Sequence, residues 1–307
     1  ENAPDGFTSS PLVSPRRVLW IAREEQQETL TTMLSEARKP VPSIHAVDRA
    51  EAKRLCPVLR EEYLAGAVLE PEAMDMDVHA IHQGFLKNFR HRNGDLVTTA
   101  EVKDLSRSVD RWEVHAGHER YSARVVVNAA GAWCDEIGKI AGARPIGLTP
   151  KRRTAFIFDG PTQSDLSAWP VVIDVDEQFY FKPESGRILA SPADETPMPP
   201  CDVYAEDYDV ALAVERIEKA STLAIRHIRR KWAGLRSFVA DKAPVVGRDM
   251  LLPGFFWLAG QGGYGIMTSP AMARAATGLI VEGHLPADLT AMGLRSEDLS
   301  PARFQEA

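Results

Sequence analysis

An aromatic strand that runs directly into a glycine-rich turn is the feature that most constrains this chain. The strand is predicted over Phe255-Phe256-Trp257-Leu258-Ala259, the turn over Gly260-Gln261-Gly262-Gly263-Tyr264-Gly265-Ile266, and a helix over Thr268–Val281. Four glycines within six residues let the backbone approach a ligand closely. The first amides of the helix would present a positive dipole end to an anionic or electron-accepting group. The alternative is an ordinary strand-to-helix turn, because glycine-rich motifs also occur without a ligand.

A second strand-to-helix junction lies in the middle of the chain. It reads Val125-Val126-Val127-Asn128-Ala129-Ala130-Gly131-Ala132-Trp133, a buried strand that ends in small residues before a helix. Small residues permit close packing against a bound ligand, although they would equally let a helix lie close to a strand.

Composition excludes several classes of protein. The chain has 307 residues, 44% hydrophobic and 26% charged, which is typical of a soluble globular protein with one large or two ordinary domains. The net charge of −7 argues against a nucleic-acid partner, and the basic run at 226–231 is predicted to be a solvated helix end. No apolar run approaches the roughly 20 residues of a membrane span, and no signal-peptide pattern is present. We therefore expect a cytoplasmic protein, and leave a peripheral association with a membrane open.

The cysteines and histidines do not indicate a metal site. Cys56, Cys134 and Cys201 lie far apart without C-x-x-C spacing, so neither a disulfide framework nor a thiolate zinc site is predicted. Two histidine pairs have a spacing that could hold a metal, but neither has further ligands beside it: His79 with His82, and His115 with His118.

The remaining pattern predicts a mixture of helices and strands. Arg23–Arg38 and the segment after Asp77 have helical spacing, with Asp77 as the N-cap of the second helix. Leu96–Thr99 is predicted to be a short strand, and residues 112–123 a hairpin. From Thr149 to Val239 the chain is rich in predicted strands, interrupted by one helix, in the order Thr154–Phe158, Val171–Ile173, Gln178–Lys182, Arg187–Ser191, the helix Asp207–Arg226 and Lys231–Val239.

These motifs, taken with three others, carry a family resemblance. The others are Pro150-Lys151-Arg152-Arg153, Phe179-Tyr180 and Trp232-Ala233-Gly234-Leu235-Arg236-Ser237. In this order they are similar to the motifs of the FAD-dependent D-amino acid oxidase superfamily, and within it to those of the D-arginine dehydrogenases, from about Pro11 to Pro301. The resemblance implies an α/β, two-domain fold with a Rossmann-like FAD-binding domain and a substrate domain of β-sheet and helix.

The resemblance also implies a discontinuous arrangement of the two domains. The FAD-binding domain is expected over 1–10, 75–145 and 245–307, and the substrate domain over 11–74 and 146–244. The chain opens Glu1-Asn2-Ala3-Pro4, and no G-x-G-x-x-G follows an apolar strand. We therefore expect a fragment that lacks the first βαβ unit of the family, is truncated at the N-terminus of its FAD-binding domain, and binds FAD weakly or not at all.

The family places FAD and its substrate against particular residues of this sequence. Those expected to contact the cofactor are Val102, Ala129, Ala130, Gly131, Trp133, Gly260, Gly262, Gly263, Tyr264, Gly265 and Ile266. Those expected to bind the substrate at the reacting centre are Arg153, Tyr180, Arg236 and Gly263. Those expected to line the pocket for the substrate side chain are Val18, Val171, Ile173 and Met267.

The chemistry of amino-acid oxidation explains why such residues are needed. The Cα–H bond must be aimed at the flavin, so the substrate carboxylate has to be anchored. The planar fork of an arginine binds a carboxylate bidentately, and a tyrosine hydroxyl can complete the set. Taken singly, Arg152 and Arg153 could instead be a solvent-facing pair, Arg236 a structural ion-pair partner and Tyr180 a half-buried strand aromatic. No general base is evident, and none is required if the neutral amine drives hydride transfer from Cα to flavin N5.

Specificity is where the sequence departs from the D-arginine dehydrogenases. Those enzymes hold the substrate guanidinium with a glutamate shortly after a Leu-Ser-Pro-Arg motif, whereas here Leu12-Val13-Ser14-Pro15-Arg16-Arg17 leads to Val18. The pocket is therefore predicted to be apolar and the specificity broad, unless the alignment is shifted by one residue.

Three functions follow from these observations. The first is oxidative deamination of D-amino acids to imino acids and then to 2-oxo acids and ammonia, with oxygen or a quinone as the electron acceptor. The second is a secondary-amine oxidase similar to sarcosine or glycine oxidase. The third is a truncated, non-catalytic subunit or remnant. The sequence leaves the oligomeric state open, as a monomer or an unknown oligomer.

Overall fold

The computed structural model describes residues 3–4, 6–162 and 165–304. Within them the strands are β1 Val13–Pro15, β2 Val18–Ala22, β3 His45–Val47, β4 Gly66–Glu70, β5 Met74–Met76, β6 Val102–Ser108, β7 Arg111–Ala116, β8 Glu119–Ala123, β9 Val126–Asn128, β10 Thr149–Phe158, β11 Val171–Asp174, β12 Tyr180–Glu184, β13 Arg187–Ser191, β14 Thr196–Pro197, β15 Ile228–Phe238, β16 Val245–Arg248 and β17 Phe255–Ala259. The α-helices are α1 Gln27–Ala37, α2 Arg49–Leu55, α3 Val78–His91, α4 Cys134–Ala141, α5 Asp207–Ala220, α6 Gly265–Val281, α7 Ala287–Ala291 and α8 Ser296–Leu299. The fold is therefore a mixed α/β fold.

The chain divides into two compact units. The first unit comprises 1–85, 152–196 and 202–234, and the second comprises 86–151, 197–201 and 235–307. The division falls inside α3, β10, β14 and β15, so each of these elements has residues in both units. The domain bounds that the family resemblance implies stay a prediction, and they include residues 1, 2, 5, 163, 164 and 305–307, which lie outside the described part of the chain.

The largest sheet has most of its strands in the first unit. Its order is β14-β10-β13-β12-β11-β2-β4-β3, with β15 also paired to β10. Strands β11 and β2 run parallel, whereas β11 with β12, β12 with β13 and β2 with β4 are antiparallel. Because successive residues of a strand point to opposite faces, the register divides the side chains into two sets.

One set forms the core of the first unit, on what we call the core face of this sheet. It packs against residues of α2 and α5, and its fully buried members include Leu19, Ile21, Phe156, Phe158, Val172, Phe181, Ile188 and Ala190. Each such aromatic or aliphatic side chain contributes about 1.5–3 kcal/mol by leaving water. The strands of this sheet therefore read as alternating buried and partly exposed residues.

The other set lies on the opposite face of the same sheet. Part of it is covered by α1, where Leu30 and the partly buried Trp20 pack with Val68. Cross-strand pairing places Val18 beside Val171, Trp20 beside Ile173, and Ile173 beside Tyr180. These half-buried residues form the part of the opposite face that concerns the candidate site.

The second unit contains two small sheets. In one, β16 and β17 are antiparallel and β17 and β9 are parallel, in the order β16-β17-β9. In the other, β6, β7 and β8 form an antiparallel meander. Trp112 and Phe255 are almost fully buried between these elements, with ring centroids 5.7 Å apart. The predicted hairpin over residues 112–123 is confirmed.

Three predicted elements differ from the structure. Leu96–Thr99 belongs to no strand: Leu96 and Val97 are half exposed and pair with no strand of the described chain, and strand propensity without a pairing partner does not form a strand. Helix α5 ends at Ala220 rather than Arg226, where the Ser221 hydroxyl donates to the Ile217 carbonyl. The basic run that was predicted to be a helix end therefore leads into β15, with Arg229 paired to Asp159 and Lys231 to Asp207. Helix α6 begins at Gly265 rather than Thr268.

Other helices begin and end as their sequences predict. Ala80 donates its backbone N–H to Oδ1 of Asp77 at 2.8 Å, so Asp77 is the N-cap of α3. Helix α1 matches the predicted Arg23–Arg38 segment. In the described part of the chain, none of the helices has the length and hydrophobicity that crossing a membrane requires.

The three cysteines should differ in reactivity towards a thiol reagent. Burial raises the pKa of both Cys56 and Cys134 to about 12, whereas Cys201 is partly exposed. In the native protein at pH 8 we expect a chromogenic disulfide reagent to modify one thiol quickly, and all three only after denaturation. Cys201→Ser should abolish the fast phase. A fast phase of two or three thiols would show that the environment of Cys56 or Cys134 is described wrongly.

Candidate active site

The two strand-to-helix junctions of the second unit end at the same edge of one sheet. Strands β9 and β17 are parallel neighbours, with Val126 beside Phe255 and Asn128 beside Trp257. The carboxyl ends of parallel strands lie together, and ligands of open α/β sheets bind in the crevice beyond them. The turn at 129–133 and the turn at 260–264 therefore lie next to each other, as the sequence interpretation requires.

The first junction is held by the side chain of Asn128. This buried residue donates from Nδ2 to the Cys134 carbonyl at 2.8 Å and accepts from the Ala130 N–H at 3.4 Å. It joins the end of β9 to the start of α4 and leaves Ala129 and Gly131 exposed. A Cβ atom added at Gly131 would meet no atom within 4 Å, so the backbone there borders open space.

The second junction is pressed against the end of β15. The Gly262 N–H donates to the Ser237 carbonyl at 2.8 Å. A Cβ atom added at Gly263 would lie 2.9 Å from Nη1 of Arg236, so the Arg236 guanidinium lies directly against this turn. Helix α6 follows at once, and its first amides have no partner within the helix. The geometry places a cation and a helix N-terminus at one turn, which favours binding of a carboxylate or another anionic group.

Two further predicted site residues lie on the first unit's large sheet. Tyr180 begins β12, beside Ile173 of β11 and Ser191 of β13, on the opposite face. Arg153 lies on β10, four residues before Ile157, which pairs with Leu189 on that same face. Arg152, by contrast, is on the core face, where it is buried among Asp194, Glu206 and Asp209.

Arg153 already has partners in this structure. Its Nε donates to the Asp194 carbonyl at 2.9 Å, and its Nη2 pairs with the Glu195 carboxylate at 3.3 Å. The side chain is only 10% exposed. The solvent-facing pair of Arg152 and Arg153 that the sequence left as an alternative is therefore wrong, because both side chains are buried and ion-paired. A substrate carboxylate would have to share the Arg153 guanidinium with Glu195 or displace it.

The predicted side-chain pocket of the first unit is apolar with a charged end. Val18 and Val171 are cross-strand partners, and Lys182 of β12 stands across from Val171 on the same face. The Lys182 ammonium pairs with Asp75 at 2.8 Å, and Asp75 also accepts from Arg16. Burial alone would raise the pKa of Asp75, but hydrogen bonds from Lys182 and Arg16 hold that pKa below its usual range. This ion-pair stability is present above the pKa of an unfolded aspartate and is lost as the pH falls through the lowered value.

Asp174 is oriented away from this pocket. It alternates with Ile173 along β11 and is fully buried. Its carboxylate accepts from the side chain of Gln26 at 3.2 Å and from the backbone N–H of Asp176 at 3.1 Å, and the Tyr63 hydroxyl lies 3.4 Å from it. Burial, with the Asp174 charge as a smaller contribution, raises the pKa of Tyr63 above its usual range. We interpret this network as support for the β11–β12 connection.

A cavity of about 760 Å³ lies elsewhere in the first unit. It is lined by Arg16, Asp159, Ser167 and the β12–β13 turn with Arg187. None of the predicted site residues lines it. Asp159 is already paired with Arg187 and Arg229, and Arg16 with Asp75. The cavity therefore adds nothing to the candidate site.

Comparison with known protein families shows which family this chain belongs to. Residues 8–279 match the model of the DAO family, described as FAD dependent oxidoreductase. The chain belongs to this family. The expected superfamily and the FAD cofactor are thereby confirmed, whereas the similarity to D-arginine dehydrogenases stays a prediction.

Curated relatives of this DAO-family protein include two oxidoreductases. The FAD-dependent oxidoreductase domain-containing protein 1 of Bos taurus is 27% identical over 212 residues, which is 62% of this chain and 42% of the relative. The uncharacterized oxidoreductase YurR of Bacillus subtilis is 25% identical over 265 residues, or 82% of this chain and 68% of the relative. The chain thus spans less than half the length of the bovine relative.

Solved structures confirm the fold. L-proline dehydrogenase from P. horikoshii superposes with a TM-score of 0.80 at 22% identity, covering 95% of this chain and 77% of that one. Glycine oxidase from Geobacillus kaustophilus superposes with a TM-score of 0.76 at 22% identity, covering 91% and 74%. At these identities the likeness shows the fold alone.

The residues at the two junctions fit an FAD molecule. The backbone at Gly131 borders open space, and the first amides of α6, which have no acceptor within the helix, provide donors for an anionic edge. Aromatic and aliphatic side chains beside both turns are exposed, as an apolar ring system would require: Trp133 is 42%, Tyr264 63%, Ile266 45% and Met267 60% exposed. Val102 differs, since it begins β6 and packs partly against the core. The contacts of individual residues with FAD stay predictions.

Two residues that matter for this geometry received no role from the sequence. The sequence places Asn128 in the 125–133 motif without a role of its own. A buried amide at a strand end usually has a hydrogen-bond partner, which is the signal that could have identified it. Phe238 was not singled out, although it lies two residues after Arg236 on one strand and therefore shares its face.

Proposed function

We propose that this DAO-family protein oxidatively deaminates D-amino acids with apolar side chains, giving the imino acid and then the 2-oxo acid and ammonia. The observation that carries the proposal is the guanidinium of Arg236 against the Gly262–Gly263 turn, at the edge where both junctions end. Bound FAD supplies the acceptor for two electrons. The residues of the chain have to bind, orient and desolvate the amino acid.

Each unit supports one part of this proposal. In the second unit, Arg236 is the proposed anchor of the substrate carboxylate, and the Gly263 backbone its neighbour. In the first unit, Arg153 and Tyr180 lie on one face of a rigid sheet, which suits two groups predicted to bind a carboxylate. The rate should rise with pH as the substrate amine loses its proton, because no basic side chain is assigned to that step.

A second candidate is oxidation of glycine or of an N-substituted amino acid. It is favoured by similarity to mouse sarcosine dehydrogenase, which is 22% identical over 267 residues, or 82% of this chain and 29% of that relative. The same carboxylate anchor would serve such substrates, because they share the carboxylate and differ at Cα and the amine.

Anaerobic reduction of the flavin separates the candidates. The FAD-loaded protein is mixed with D-leucine, L-leucine, sarcosine or glycine, and the loss of oxidised-flavin absorbance is followed by stopped flow. We expect D-leucine to reduce the flavin fastest. Faster reduction by sarcosine or glycine would favour the second candidate, and reduction by none would contradict both. Mixing the reduced protein with air or with a quinone then identifies the electron acceptor.

A further inference from the structure

Two neighbouring side chains of β15 each face one glycine of the second junction. Arg236 and Phe238 lie two residues apart and so project from the same side of the strand. A Cβ atom at Gly263 would meet Arg236 at 2.9 Å, and a Cβ atom at Gly262 would meet Cε1 of Phe238 at 2.8 Å. Between them, the Ser237 carbonyl accepts the Gly262 N–H at 2.8 Å. Three consecutive residues of β15 therefore fix the position of this turn.

The ring of Phe238 is held from two sides. Gly262 lies against its edge, and the Lys151 ammonium lies 5.0 Å from the ring centroid, within the range of a cation–π interaction. Only 8% of Phe238 is exposed. Gly262 has φ of 55°, a conformation that a residue with a side chain rarely adopts. The Phe238 ring thus packs directly on the backbone of Gly262, at a position where any side chain would separate the turn from the ring.

We propose that Phe238 is a positioning residue for Arg236: it keeps the glycine turn at the distance from β15 at which the guanidinium can receive a carboxylate. The inference rests on the proposed function, in which Arg236 is the anchor. Without the ring, the turn would settle towards β15, and the backbone at Gly263 would take up the space beside Nη1 of Arg236. Phe238 would then affect carboxylate binding without touching the carboxylate.

The test measures the affinity of the FAD-loaded protein for propionate, a carboxylate without an amine, from its effect on the flavin absorption spectrum. Phe238→Leu is expected to raise the Kd for propionate about tenfold, the size of a coupling between contacting residues. Made in an Arg236→Lys background, which keeps the charge but loses the fork, the same substitution should have little further effect. Phe256→Leu is the matched control: this ring is buried in another cluster of the second unit, so the variant should lower the Tm and leave the Kd unchanged.

A second variant keeps the test decisive if Phe238→Leu does not fold. Lys151→Met removes the cation that lies over the Phe238 ring. The lost cation–π contact should raise the Kd for propionate by a factor of about two to five. An unchanged Kd for propionate in Phe238→Leu would overturn the inference; if only Lys151→Met folds, an unchanged Kd in that variant would do so. An equal loss of affinity with and without the Arg236→Lys change would also overturn it. An unchanged Kd in Arg236→Ala would instead overturn the anchor assignment and with it the proposed function.

Discussion

Arg236→Ala is expected to lower kcat/KM of the FAD-loaded protein for its best D-amino acid about a hundredfold. The substitution removes a charge-assisted contact to the substrate carboxylate, worth about 3 kcal/mol in a site largely closed to water, which is roughly a hundredfold in rate. Arg236 is only partly buried, so its loss should change the free energy of unfolding less than the loss of a core side chain would. Steady-state kinetics and thermal unfolding measure the two quantities.

Two other arginine variants sharpen this result. Arg236→Lys keeps the charge and loses the planar fork, and should recover only part of the activity. Arg153→Ala should also lower kcat/KM, although the competing pair with Glu195 makes its contribution smaller. Glu195→Gln is the control for that pair, and should leave kcat/KM unchanged or raise it. An arginine whose alanine variant keeps wild-type kcat/KM on every amino acid tested is not a carboxylate anchor.

D-Arginine and D-lysine are expected to be poor substrates beside D-leucine, D-methionine, D-phenylalanine and D-proline. A cationic substrate side chain that lies against Val18 and Val171 would lose its hydration. It would also meet the Lys182 ammonium rather than a free carboxylate. The difference should amount to several kcal/mol, that is about a hundredfold or more in kcat/KM. Among apolar substrates the preference should be shallow, because one methylene contributes about 1 kcal/mol. A panel of D-amino acids measured at one pH tests this order.

A single substitution should shift that order. Val18→Glu supplies a carboxylate on the opposite face, and should raise kcat/KM for D-arginine relative to D-leucine, whereas Val18→Gln should not, because it lacks the charge. Asp174 does not fill this role, since it lies on the core face and is bound by Gln26. If D-arginine is the best wild-type substrate by tenfold or more, the assignment of Val18 to the pocket is wrong.

The sequence predicted the elements whose pattern is local. The aromatic strand, the glycine turn and the Asp77 cap are each determined by residues a few positions apart in the sequence, and each is present in the structure. The Leu96–Thr99 strand was wrong because a strand also requires a neighbour, which local propensity does not supply. The helix predicted up to Arg226 ends at Ala220, because Ser221 has an extended backbone, and the basic residues from Arg229 onwards belong to β15.

The candidate site divides in the same way. Its members were found by their similarity to family motifs, and the two-residue period of β11 then explains why Val171 and Ile173 share a face. The partners of each residue were not predictable, because they depend on register between distant strands. The pair between Arg153 and Glu195, and the contact between Gly262 and Phe238, each join segments that the sequence treats separately.

The two-residue alternation of the first unit's large sheet also has a consequence for how such a protein can vary in length during evolution. A one-residue deletion within β12 would turn Phe181 to the face where Tyr180 now stands, and Tyr180 into the core. Substitutions in this strand alter one side chain, whereas a length change exchanges the two environments of every strand residue on one side of the change. We therefore expect gaps between homologues to fall in the turn at Ser185–Gly186 and in the connection before β11, and β12 itself to keep its length.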